Sequence, residues 1–239
     1  MDLIHWLPPD AFKILLVLSL SFLIGLEREE HKIAAEQYSF GGVRTFPLIG
    51  LIGYAMALLS GDQLLPVTLG FAVRGGNFQN VLPYLTAQVA GAIVGATLVW
   101  LHYLPHWRET EDPAAKLACF CTAPAIRSFA ANLISEIIGT FALVFVVGAI
   151  FSKSVAATGP GALGPYLVGS LVWGIGLSLG GTTGYAINPA RDFGPRLAHA
   201  ALPVAGKGGS DWGYAPIPIL GPAIGGALAG ILLKVLAIA

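Results

Sequence analysis

Gly180-Gly181-Thr182-Thr183-Gly184-Tyr185-Ala186-Ile187-Asn188-Pro189-Ala190-Arg191-Asp192-Phe193-Gly194-Pro195 is the stretch on which the reading of this chain turns. Asn188 is favoured just before a helix and Pro189 is pre-set for a first helical position. The stretch therefore predicts a helix N-terminus entered through an extended, glycine-rich strand. Unpaired N–H groups at such an end carry partial positive charge, and the Asn188 side chain adds an oriented amide. The helix that follows, over 189–197, is too short to cross a bilayer. A half-length helix at membrane depth is tolerated only where its open backbone ends line a cavity or are covered by protein, which points to the interior of a channel or transporter. At mid-membrane such an end would hold an oxygen of a neutral solute while repelling cations and protons. Arg191 brings five donors that never lose their charge, and an arginine inside a membrane is a functional candidate by default. Tyr185 offers an apolar ring face nearby. The glycines keep the backbone close to the lumen, where its carbonyls can accept from a passing hydroxyl.

The rest of the chain supplies the membrane context. Of 239 residues, 55% are hydrophobic and only 11% charged, and mean hydropathy is +0.74. An average soluble domain carries about 25% charged residues, so this is a polytopic helical membrane protein and not a soluble globule. The 31 glycines suit transmembrane helices that approach closely. A span needs about 20 mostly apolar residues. Six segments qualify, over 11–26, 45–59, 81–104, 129–151, 163–180 and 214–236. A second short apolar piece, 66–73, is open to two readings, a half-helix like 189–197 or a plain surface loop. Gly91, Gly95, Gly225, Gly226 and Gly230 stand at helix-contact spacing and are assigned to packing. The 105–128 connection contains no second domain. Trp100, His102, Tyr103, His106 and Trp107 beside it read as an interfacial aromatic belt, not as metal or catalytic residues.

Composition also excludes functions. Thirteen basic and thirteen acidic residues leave no net charge, so nothing here concentrates nucleic acid phosphates. Cys119 and Cys121, one residue apart, give neither a disulfide framework nor a zinc set. No span carries paired carboxylates, a Ser and His pair, or ligand-spaced histidines, so neither an enzyme, a metal nor a cofactor is expected.

The 180–195 stretch resembles the second signature of the major intrinsic protein family, the aquaporins and aquaglyceroporins, and the resemblance extends from about residue 66 to the C-terminus. It includes Val67-Thr68-Leu69-Gly70, Tyr84-Leu85-Thr86-Ala87-Gln88-Val89-Ala90-Gly91-Ala92, Pro124-Ala125-Ile126-Arg127, Ser135-Glu136-Ile137-Ile138-Gly139-Thr140-Phe141 and Gly221-Pro222-Ala223-Ile224-Gly225-Gly226. The resemblance implies an all-α fold of six spans and two re-entrant half-helices that passes glycerol, related small neutral solutes and water down their gradients. It implies that Asn188, Pro189 and Ala190 form the second NPA motif. Arg191 becomes the filter arginine and Tyr185 the ring against which the carbon side of a polyol slides. Gly176 falls where water-selective members usually carry a histidine, leaving a wider filter, and Asp192 is typical of the glycerol branch. Glu136 is similar to the family's buried glutamate that holds the re-entrant loop. A homotetramer with one pore per subunit is implied as well.

The first NPA motif of the family would fall on Leu64-Leu65-Pro66, which lacks the amide that complements Asn188. Upstream, Gly25-Leu26-Glu27-Arg28-Glu29 and Gly42-Val43-Arg44-Thr45-Phe46-Pro47-Leu48-Ile49-Gly50 resemble the MgtC/SapB-like bacterial inner-membrane proteins. The expected organisation is therefore a two-helix segment over 1–63 joined to a channel segment over 64–239, in the bacterial inner (plasma) membrane. The basic loop of Arg28, Lys32 and Arg44 reads as cytoplasmic by charge, whereas the channel segment needs residue 66 on the cytoplasmic side. The alternative function is a non-conducting membrane protein whose N-terminal segment regulates or binds a partner.

Overall fold

The structure, a computed structural model, describes residues 65–152, 160 and 163–238. The chain divides into two units, Met1–Asp62 and Gln63–Ala239, and the second is described below. The spans expected over 11–26 and 45–59, the MgtC/SapB-like motifs and Leu64 lie outside the described residues. Eight helices follow in order among those residues: α1 Leu65–Gly75, α2 Val81–His102, α3 His106–Glu109, α4 Pro113–Ala118, α5 Phe129–Ile150, α6 Gly164–Thr183, α7 Pro189–Ala201 and α8 Pro216–Val235. Among the described residues there is no strand, in keeping with the all-α expectation.

Helices α2, α5 and α8, of 22, 22 and 20 residues, are long and apolar enough to cross a membrane. With 20 residues, α6 has the length but not the hydropathy, because glycine, serine and threonine dilute its aliphatic side chains. The 66–73 piece is a helix of 11 residues, so the surface-loop reading falls. Helix α7, at 13 residues, runs a turn beyond 197. Its C-terminal carbonyls are held by the Lys207 ammonium, which donates to His199, Ala200 and Leu202 at 2.6, 2.8 and 2.7 Å.

The packing is an internal repeat. Each half-helix is followed by a long helix, α1 by α2 and α7 by α8, and each packs against the long helix of the other pair, α1 on α8 and α7 on α2. Glycine at the sixth residue of each half-helix allows the approach. A Cβ on Gly70 would meet the Gly226 carbonyl oxygen at 2.9 Å, and one on Gly194 would meet Ala92 Cβ at 2.6 Å. Val67 from the first turn of α1 and Ile187 from just before α7 share one buried cluster with Leu143, Val144, Val147, Ile175 and Ala229. The two half-helices therefore begin at the same core.

Two expectations need correction in detail. Gly225, Gly226 and Gly230 do pack backbone to backbone, but a Cβ on Gly95 would meet nothing within 4 Å. The 105–128 connection carries α3 and α4; Asp112 caps α4 by accepting from the Ala114 N–H at 2.8 Å. Trp107 is no belt residue, since it is 2% exposed, packs on Phe120 and donates its indole N–H to the Trp100 carbonyl at 2.9 Å.

Candidate functional site

The approach to α7 is shorter and more bent than a glycine-rich strand. Helix α6 continues through Gly180-Gly181-Thr182-Thr183 and stops at Gly184, whose φ of 72° caps it in the left-handed conformation. Glycines that weaken a helix in water are tolerated here, because an apolar surround leaves backbone groups no better partner than one another. Four residues then carry the chain to Pro189. Two of them, Tyr185 at φ 38° and Ile187 at φ 40°, adopt the left-handed region without being glycine. Each costs about 1–3 kcal/mol and persists only where the surroundings over-determine it.

Glu136 supplies that constraint. Its carboxylate, 1% exposed on α5, accepts from the Ala186 N–H at 3.0 Å and from the Ile187 N–H at 2.8 Å. A buried carboxylate held by two amides is a satisfied charge, and charge-assisted bonds of this kind are roughly twice as strong as neutral ones. With no cis peptide among the described residues, each carbonyl points opposite to the N–H of its own peptide plane. The Tyr185 and Ala186 carbonyls are therefore turned away from Glu136.

Asn188 closes the loop. Its backbone is extended, and its Oδ1 accepts from the Ala190 N–H at 3.0 Å, the helix cap that the sequence predicts. The cap uses the side-chain oxygen only. The Nδ2 group, half-buried, has no hydrogen-bond partner among the described residues and stays available as a donor. Pro189 and Ala190 are buried behind it, and Arg191 is exposed. The Arg191 guanidinium lies 5.6 Å from the centroid of the Tyr185 ring and makes no ion pair with any described residue. The Tyr185 ring also lies against α6, where a Cβ on Gly176 would stand 3.1 Å from the ring Cζ and 3.3 Å from the hydroxyl. The space left by the missing side chain at Gly176 is thus taken up by Tyr185. Asn188, Arg191, Tyr185 and Gly176 are drawn into one site, with Glu136 behind the loop.

Asp192 faces the other way, fully buried. It accepts from the Thr122 N–H and hydroxyl, both at 2.7 Å, and from Arg196 Nε at 2.9 Å. Arg196, also fully buried, further donates to the Ser210, Asp211 and Thr122 carbonyls at 2.7, 2.9 and 3.2 Å and to Asp192 Oδ2 at 3.1 Å. Its five donors are all engaged. The sequence reading missed Arg196 and Thr122. The signal for Arg196 was present, an Asp four residues ahead of a second arginine inside an intramembrane half-helix. Thr122 carried none.

Cys119 and Cys121 lie outside the spans, and burial pushes both thiols up to about 12. They stay protonated and unreactive near neutral pH. Among the described residues no group of three or more His, Cys, Asp or Glu stands close enough to hold a metal ion.

A family model described as Major intrinsic protein matches residues 14–233. The chain is 56% identical to a probable glycerol uptake facilitator protein of Thermotoga maritima, over 75% of this chain and 76% of that protein. It is 54% identical to glycerol uptake facilitator protein 3 of Lactiplantibacillus plantarum, over 77% and 75%. Against the glycerol uptake facilitator protein of Bacillus subtilis the identity is 49%, over 77% and 66%. Among solved structures, the aquaglyceroporin from Plasmodium falciparum superimposes with a TM-score of 0.66 at 23% identity, covering 92% of this chain and 94% of that one, a likeness of fold.

Proposed function

The chain belongs to the major intrinsic protein family and is an integral membrane protein, and on that premise we propose that it is a passive channel for glycerol, related small neutral solutes and water in the plasma membrane. The observation that carries the reading is the division of labour along 184–192. The Ala186, Ile187 and Ala190 N–H groups are satisfied by Glu136 and by the cap, while Asn188 Nδ2 and the Arg191 guanidinium have no hydrogen-bond or ion-pair partner among the described residues and stand beside an aromatic ring. Donors on one side and an apolar ring on the other match a polyol, whose hydroxyls and carbons lie on opposite faces. The Tyr185 and Ala186 carbonyls, turned from Glu136, supply acceptors for hydroxyl hydrogens. Membership of the family, and relatives that are glycerol uptake facilitators, support a facilitator and not an enzyme. Asn188, Pro189 and Ala190 form the constriction, Arg191, Tyr185 and Gly176 the filter, and Glu136 and Asp192 the support. The working assembly is a homotetramer with one pore per subunit.

The test is stopped-flow light scattering of proteoliposomes under a glycerol gradient, comparing this chain, Arg191→Ala and empty vesicles once insertion is verified. Glycerol entry above the empty vesicles, altered in Arg191→Ala, is the expected result. Flux equal to that of empty vesicles would refute the channel.

A further inference from the structure

Helix α6 places two glycines one turn apart, Gly176 and Gly180, under a single aromatic ring. A Cβ on Gly180 would lie 2.7 Å from Tyr185 Cδ1 and 3.3 Å from Cε1, closer than the 3.1 Å that Gly176 allows to the far edge of the same ring. The ring therefore lies along a backbone groove, its near edge over Gly180 and its hydroxyl end over Gly176. The Arg191 guanidinium lies over the same ring, 5.6 Å from its centroid. Nor can the backbone of Tyr185 yield. Its φ of 38° is strained, and the next amide, that of Ala186, is held by Glu136. A ring fixed at its root must shift when its seat on α6 is raised, and any shift changes how it stands against the arginine. Gly181 and Gly174, also on α6, lack this role, since a Cβ on either would meet nothing within 4 Å.

We propose that Gly180 is a positioning residue for solute selection, holding the Tyr185 ring down on α6 so that ring and Arg191 together border a path wide enough for a polyol. The inference rests on the channel reading and deepens it. Polyol breadth here depends on two empty positions on α6: Gly176 admits the hydroxyl end of the tyrosine, and Gly180 sets the height of the whole ring. A side chain at Gly180 would tilt the ring into the path. A three-carbon polyol needs the full width of that path, whereas water passes through a narrower one.

The experiment compares glycerol and water permeability in proteoliposomes for the unaltered chain, Gly180→Ala, Gly176→Ala, Gly181→Ala, Tyr185→Ala and the double variant Gly180→Ala with Tyr185→Ala. Gly180→Ala is expected to lower glycerol permeability about tenfold, as overpacking of a confined side chain. Water permeability should fall much less, so the glycerol-to-water ratio drops. Gly176→Ala should act in the same direction and more weakly, and Gly181→Ala should leave the ratio unchanged. In the double variant, with no ring to displace, the alanine at 180 should have no effect relative to Tyr185→Ala alone, a rescue that a general packing defect would not show. A second readout does not depend on conduction. In protein labelled with 3-fluorotyrosine, the Tyr185 19F resonance, assigned by its loss in Tyr185→Phe, should shift in Gly180→Ala and stay in place in Gly181→Ala. An unshifted Tyr185 resonance, or an equal loss of glycerol and water flux that persists in the double variant, would overturn the proposal. If the unaltered chain passes no glycerol, the channel reading fails by itself, and the 19F comparison still decides whether Gly180 seats the ring.

Discussion

Glu136 and Asp192 are both buried carboxylates, but they are satisfied by different partners, and this sets different consequences for their loss. Glu136 accepts from two backbone amides that belong to a strained loop. Glu136→Ala would leave those amides buried without acceptors and remove the restraint on the left-handed residues Tyr185 and Ile187. The expected cost is about 2–5 kcal/mol, the sum of two unmade buried hydrogen bonds. It should read as a lower melting temperature in detergent together with loss of glycerol flux in whatever protein is inserted. Asp192 instead faces a cation. Arg196→Met strands its carboxylate without a counter-charge, which is the costly way to break a buried pair, about 3–5 kcal/mol. Asp192→Asn in the same chain removes the stranded charge, so the double variant should melt higher than Arg196→Met alone. A double variant no more stable than the single would mean that the charge of Asp192 is balanced elsewhere.

Among the elements, the half-helices show what sequence could and could not reveal. Helix α7 was legible because its start is signalled locally, by Asn188 and Pro189, and the cap forms as those residues dictate. Its support by Glu136 was legible only through family resemblance, since 50 residues separate the carboxylate from the amide it holds. The Thr122 contact to Asp192, 70 residues apart, had no local signal at all. Trp107 was misread because an aromatic just past a long apolar helix looks the same whether it faces lipid or folds back beneath a short helix. Helix α1 corrects the reading in the other direction. The amide expected at its start is missing from the sequence, yet the helix is formed, and the partial positive charge of a helix N-terminus belongs to the backbone and not to any one side chain. The missing part of the first signature is thus a side-chain donor, while the backbone contribution remains. Leu64→Asn should add that donor and raise glycerol permeability severalfold in the proteoliposome assay with no rise in proton leak, measured with an entrapped pH dye. Unchanged glycerol flux would indicate that Asn188 and the backbone ends already suffice.

Across the whole described body, the 103–128 connection between α2 and α5 behaves as part of the core. Lys116, 3% exposed, donates to the Ala205 carbonyl; Phe120 packs on Trp107 and on the His199 ring; and Thr122 reaches Asp192. The segment thereby ties the end of α2 to the outer turns of α7 and to the 202–211 loop, whose carbonyls hold Arg196. Cys119 and Cys121 sit in the middle of this seam and report on it. Both thiols are raised by burial from 9.0 to about 12 in the folded chain. Below pH 9 the thiols are protonated in folded and unfolded chains alike and contribute no pH dependence. Above pH 9 the unfolded chain releases these protons while the folded chain keeps them, so the unfolded state binds fewer protons and stability falls as pH rises toward 12. The melting temperature should accordingly decline between pH 9 and 11 in the unaltered protein. In the variant carrying Cys119→Ala and Cys121→Ala, that part of the decline should vanish, although the smaller side chains lower stability at every pH. N-ethylmaleimide should label neither thiol at pH 8 until the protein is unfolded in detergent. Rapid labelling of the inserted protein would mean that the seam opens, and with it the link that holds Asp192 and the start of α7 in register.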